Sequence, residues 1–110
     1  MTTFIQTAKS YGGVGAESLP VLGFDYASGQ RIAIGAGSLQ SANISSEIVC
    51  LKATADCYIV VGSNPTATNT ATSLYIFAGE TFFLRIPFNH KIAVIQAGGN
   101  TGNLHIMPVV

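Results

Sequence analysis

The feature that most constrains the fold is the run Cys57–Val61, five apolar residues held between Asp56 and Gly62. β-Branched and aromatic residues bounded by turn residues are typical of a strand. Similar short runs recur along the chain, separated by Gly, Pro and Asn, and no stretch of about 11 residues has a helical period. The sequence therefore predicts an all-β fold, an antiparallel β-sandwich or jelly roll of about eight short strands.

Alternation within these runs predicts which side chains enter the core. In the run 57–61 we assign Val60 to the core and Ile59 to the opposite face. The predicted core comprises Val49, Leu51, Tyr58, Val60, Leu74, Ile76, Phe82, Leu84, Ile92, Val94, Leu104 and Ile106.

Turn residues predict three hairpins. Strand 47–53 is expected to pair with 56–61 through a turn at Thr54-Ala55, and 21–24 with 31–34 through the loop 25–29. Strand 91–96, apolar on both faces and therefore expected in the centre of a sheet, is expected to pair with 103–107 through a Gly-rich loop.

Residues 1–20 differ from the rest of the chain. They combine one short strand-like segment containing Phe4 with a Gly-rich stretch that ends at Pro20. We predict an extended N-terminal arm over 1–20 that lies on its own domain or on a neighbour, and a β-sandwich domain over 21–110.

The charge content bounds the class of partner. Of the 110 residues, 9% are charged and the net charge is zero, whereas a soluble domain has about 25% charged residues. A surface of Thr, Ser, Asn, Gln and Gly predicts that other protein subunits cover much of it; the alternative is a Ser/Thr-rich secreted domain. Nucleic acid is not an expected partner, because phosphate binding needs clustered cations and the five here are scattered along the sequence, namely Lys9, Arg31, Lys52, Arg85 and Lys91.

No run approaches the length of a membrane span, and no signal peptide is recognisable at the N-terminus, so synthesis in a cytoplasm is expected. The two cysteines, Cys50 and Cys57, are predicted to be reduced thiols that pack as small apolar residues.

Residues for catalysis or metal binding are sparse. Asp56 is interpreted as the cap of a local turn. His90 and His105 are interpreted as isolated surface residues, although a small hydrolase would need one of them to meet a carboxylate. We predict no enzyme activity, no catalytic residues, no metal and no cofactor.

From Ala53 onward the chain resembles a family of small structural proteins of tailed bacteriophages. The residues that carry the resemblance are Ala53–Tyr58 with Gly62, Asn64–Thr68, Leu74 with Ala78-Gly79, Lys91–Gln96 and Gly102–Leu104. It implies a β-sandwich protein of the virion, made in the host cytoplasm. The resemblance further implies a capsid decoration (cement) protein that binds the major capsid protein on the outer surface of the shell.

A decoration protein would be a homo-oligomer, a dimer or trimer, with contact segments in the arm and in the Thr-rich loop. The predicted contact residues are Phe4, Tyr11, Gly12, Gly13, Asn64, Pro65, Thr66 and Thr68. The alternative is a receptor- or glycan-binding module on a tail or head fibre, which would gather exposed aromatic residues such as Tyr11, Tyr26 and Tyr75 in one groove.

Overall fold

The computed structural model describes residues 6–9 and 18–110, with side chains from residue 22 onward. This part of the chain is built from ten strands and one short 3₁₀ turn, Tyr26–Ser28. The strands are β1 Gln6–Lys9, β2 Ser18–Val21, β3 Gln30–Ile34, β4 Leu39–Gln40, β5 Ile48–Ala53, β6 Cys57–Gly62, β7 Leu74–Ile76, β8 Thr81–Arg85, β9 Lys91–Gln96 and β10 Gly102–Pro108.

Eight of these strands form two four-stranded antiparallel sheets. Sheet 1 has the order β3-β10-β5-β8 and sheet 2 the order β4-β9-β6-β7. The pairs are nested, because β3 pairs with β10, β4 with β9, β5 with β8 and β6 with β7. A long hairpin rolled over itself in this way is a jelly roll, which confirms the predicted fold class. Strands β1 and β2 pair with each other in a separate two-stranded sheet.

The core lies between the two sheets, where alternate residues of each strand meet. Its large side chains are almost wholly buried: Ile34, Ile44, Val49, Leu51, Ile59, Ile76, Ile86, Ile92, Val94, Leu104, Ile106 and Val109. Phe82 and Leu84 are partly buried and pack against this cluster. Seven of the twelve predicted core residues are therefore fully buried in this cluster, and two more, Phe82 and Leu84, line it. The seven are Val49, Leu51, Ile76, Ile92, Val94, Leu104 and Ile106.

The three predicted hairpins are wrong. Strand β5 lies in sheet 1 and β6 in sheet 2, so residues 54–56 cross between the sheets, and residues 97–101 cross in the same way between β9 and β10. The loop 25–29 does not reverse the chain either, because Phe24 bridges to Val109 while β3 pairs with β10. Phe24 and β3 therefore lie on opposite sides of the loop 25–29 but beside the same stretch of chain, β10 with Val109. Short links rich in Gly, Thr and Asp suit a sheet crossing as well as they suit a tight turn.

The assignment of faces on β6 is also wrong. Ile59 is 1% exposed and belongs to the core, whereas Val60 and Tyr58 are half-buried on the outer face of sheet 2. Leu74 is 41% exposed at the edge strand β7. In a strand that is apolar on both faces, alternation leaves the inward parity open.

Two other expectations are confirmed. Strand β9 is central, between β4 and β6. Both cysteines are free: Cys57 is buried in the core and Cys50 is half-buried on the outer face of sheet 1.

Candidate functional site

An exposed aromatic patch lies on the outer face of sheet 2, where β6 meets the edge strand β7. We define it as Tyr58, Tyr75 and Phe77. The register places Tyr58 opposite Tyr75, and their ring centroids are 5.0 Å apart in an edge-to-face arrangement. Phe77 continues the row at 4.8 Å from Tyr75 and is 60% exposed. Edge-to-face packing of this kind favours a fixed geometry of the rings.

Asp56 holds this patch in place from the crossing between β5 and β6. Its carboxylate accepts a hydrogen bond from the Ala78 backbone N–H at 2.7 Å and another from the Tyr75 hydroxyl at 2.8 Å. Asp56 therefore accepts a backbone bond as expected, but the donor is distant in sequence and not in a local turn, which corrects its interpretation as a local cap.

These two bonds, with the Ala78 N–H as the larger cause, hold the pKa of the Asp56 carboxyl below its usual value. The same bond to Asp56 raises the pKa of Tyr75. Hydrogen bonds to the ionised carboxylate favour the charged form, so Asp56 is a stable acceptor that fixes the rim of the patch.

The predicted Thr-rich contact loop, residues 63–73, is tied to the edge strand β4. The Gln40 side chain donates to the Asn64 side-chain oxygen at 2.9 Å and to the Pro65 carbonyl at 2.7 Å. The Ser38 hydroxyl accepts from the Ala67 backbone N–H at 2.9 Å. Since Pro65 and Ala67 are buried, the loop packs as part of the sheet 2 side of the domain.

Of the predicted contact residues in this loop, Thr66 and Thr68 are exposed, Asn64 is exposed and bound to Gln40, and Pro65 is buried. Thr68 shares a hydroxyl hydrogen bond of 2.8 Å with Thr70. The other predicted contact residues, Phe4, Tyr11, Gly12 and Gly13, lie outside the described residues.

A positive face occupies the outer side of sheet 1. We define it as Arg31, Lys52, Arg85 and His105. The register places His105 opposite both Arg31 and Lys52, so that these three side chains form a row across β3, β10 and β5. Arg85 lies on β8 opposite Ile48. Three cations that are far apart in the sequence are thus brought onto one surface, a clustering that the scattered sequence positions do not reveal.

Apolar side chains lie between the row and Arg85. Met107, Cys50 and Phe83 are aligned across β10, β5 and β8, and Phe83 is 47% exposed. The outward positions of these described strands carry no Asp or Glu. At the β3 edge of the face, a depression of about 480 Å³ is lined by Tyr26, Gly29, Gln30, Arg31, His105, Ile106 and Met107.

The histidines lie in different surroundings. His90 precedes β9 of sheet 2 and its Nδ1 is 3.2 Å from the Phe88 carbonyl oxygen, while His105 is exposed on sheet 1. Within residues 22–110, no hydrogen bond joins either imidazole to a carboxylate. The described part of the chain likewise has no cluster of three His, Cys, Asp or Glu side chains suited to a metal ion.

Among the described residues, no helix has the length and apolar character needed to cross a membrane.

The strand order and the two exposed faces define a jelly-roll domain with surfaces suited to contact. No family model matches the chain, and no curated protein matches it. Among solved structures, the chain is similar to the Schizosaccharomyces pombe Cnp3 cupin domain, with a TM-score of 0.44 and 11% identity over 96% of this chain and 81% of that chain.

Proposed function

We propose that this protein is a non-enzymatic structural protein of a bacteriophage virion, a decoration protein that binds the major capsid protein on the outside of the shell. The observation that carries the proposal is the aromatic patch, in which Tyr75, on the edge strand β7, and Phe77, just after it, are 36% and 60% exposed. Aromatic residues are enriched in the core of protein interfaces, and a domain with 9% charged residues has few charges to keep such a surface free of contacts.

The resemblance of residues 53–104 to small phage structural proteins supplies the class of particle. The jelly roll is a fold used by viral capsid proteins, and also by lectins and cupins. A protein that binds only the assembled shell stabilises it by mass action, and many copies multiply a modest free energy of each contact.

The test uses purified particles of the phage that encodes the protein. We expect the protein in them at a fixed ratio to the major capsid protein, measured by quantitative mass spectrometry. Absence from the particles would reject the proposed function.

A matched pair of variants tests the patch. Phe77→Ser should raise the Kd for particles that lack the protein by about 30-fold, the change expected for an interface residue worth about 2 kcal/mol. Phe88→Ser is the control, because Phe88 is 53% exposed in the turn before β9 and lies outside the patch. Equal binding by the two variants would contradict the role of the patch.

A second candidate is a receptor- or glycan-binding module on a tail or head fibre. The observation that favours it is the clustering of Tyr58, Tyr75 and Phe77, since exposed rings can stack on sugars. It predicts saccharide binding on a glycan array that is lost in Phe77→Ser, and an array without hits for the wild-type protein would reject it.

A further inference from the structure

We infer that the positive face of sheet 1 is a docking surface for an acidic protein surface. The inference rests on the proposed function only for the identity of the partner, which would be the capsid shell or another virion subunit. The chemistry of the partner follows from the face itself.

The first step is the absence of counter-charges. Arg31, Lys52 and Arg85 lie at outward positions of β3, β5 and β8, and no acidic residue occupies an outward position of these strands or of β10. Cations placed along one sheet repel each other unless a counter-charge is supplied. Since the chain as a whole is neutral, this face carries a local excess of positive charge that an anionic partner would complement.

The second step is the mixture of side chains. Met107 and the exposed Phe83 lie between the cations, and Tyr26, 77% exposed, stands at the edge of the depression beside Arg31. Arg, Met and aromatic residues are the types enriched at protein interfaces. A nucleic acid would favour more phosphate contacts than three cations offer, so carboxylates on a protein surface are the better match.

The experiment measures binding of the full-length protein to a Glu-rich peptide of about 12 residues by NMR titration. We expect the shifted amide signals to belong to β3, β5, β8 and β10, and the binding to weaken with salt. A single-stranded oligonucleotide and heparin serve as probes for phosphate and sulfate partners. Tighter binding of either probe, or no binding of the peptide, would overturn the inference.

Two matched variants distinguish an effect of the positive face from an effect of the protein's net charge. Lys52→Glu and Lys91→Glu change the same residue type by the same charge, but Lys91 lies on β9 of sheet 2. We expect Lys52→Glu to weaken peptide binding by about tenfold or more and Lys91→Glu to leave it nearly unchanged. Equal losses would overturn the inference, because they would show an effect of net charge alone. Thermal unfolding of both variants checks that each is folded.

The same pair distinguishes this inference from the proposed function. If the protein is absent from particles, the proposed function fails and the peptide result still decides the inference. If the protein is present and Lys52→Glu binds both peptide and particles like the wild type, the inference fails and the proposed function stands.

Discussion

Strand β6 offers a sharp test of the fold, because adjacent residues of similar size face opposite ways. Ile59 is 1% exposed in the core between the sheets, and Val60 is half-buried on the outer face of sheet 2. We compare Ile59→Ala with Val60→Ala.

The expected losses follow from burial. Ile59→Ala removes three buried carbon atoms, each worth about 0.8 kcal/mol of transfer free energy. The cavity left in a packed core raises the total to about 3–4 kcal/mol. Val60→Ala removes two carbons that are already half in contact with water, so about 0.8 kcal/mol is expected. Against a total stability of roughly 5–15 kcal/mol, the first change is severe and the second is mild.

The assay is urea unfolding at 25 °C followed by far-UV circular dichroism and by tyrosine fluorescence, since the chain has no Trp. Equal slopes of the free energy of unfolding against urea concentration for the two variants would show that their denatured states are comparable. In thermal unfolding, Ile59→Ala should lower Tm by about 12–25 °C. Equal losses for the two variants, or a larger loss for Val60→Ala, would refute the assignment of faces on β6.

Three further predictions concern other parts of the domain. The pKa of Asp56 is lower in the folded state, so its contribution to stability is present above its unfolded pKa of about 3.9 and is lost as pH falls through the lower folded value. Asp56→Asn should therefore flatten the fall in the free energy of unfolding on acidification. An unchanged dependence of that free energy on acidic pH would contradict this. A thiol reagent at pH 8 should label Cys50 in the folded protein but Cys57 only on unfolding, because burial is the main cause that raises the pKa of the Cys57 thiol to about 11; equal labelling rates, measured by mass spectrometry, would show that Cys57 is accessible. Gly102→Ala should destabilise the fold by about 1–3 kcal/mol, since a Cβ there would lie 2.5 Å from a threonine hydroxyl, whereas Gly37→Ala, with open space, should be nearly neutral in the same urea assay.

The strands could be predicted from the sequence because their patterns are local. Strand β8 alternates, with Phe82 and Leu84 facing the core and Phe83 and Arg85 facing solvent, and this pattern alone fixes its orientation. The run 57–61 is apolar at every position, so nothing local distinguished the face of Ile59 from that of Val60.

The pairing of strands could not be predicted, because it depends on where each link leads. Thr54-Ala55 has the composition of a hairpin turn, yet it joins two sheets. The candidate surfaces depend on the same pairing. Arg31 and Lys52 become neighbours of His105 only through the register of β10, and Tyr75 meets Tyr58 only through the register of β6 with β7.

The nested pairing also sets the order in which the chain can fold. Strand β10 follows the other nine described strands in the chain, yet it is the shared neighbour of β3 and β5, and it joins Gln30 to Ile106. Long separations of this kind raise the contact order and slow folding. Within the two sheets of the sandwich, the inner pair β6–β7 is the nearest in sequence and can form during synthesis, whereas sheet 1 must wait for β10. Until β10 arrives, β3 and β5 keep unpaired edges, and the nascent chain is most prone to aggregate during that interval.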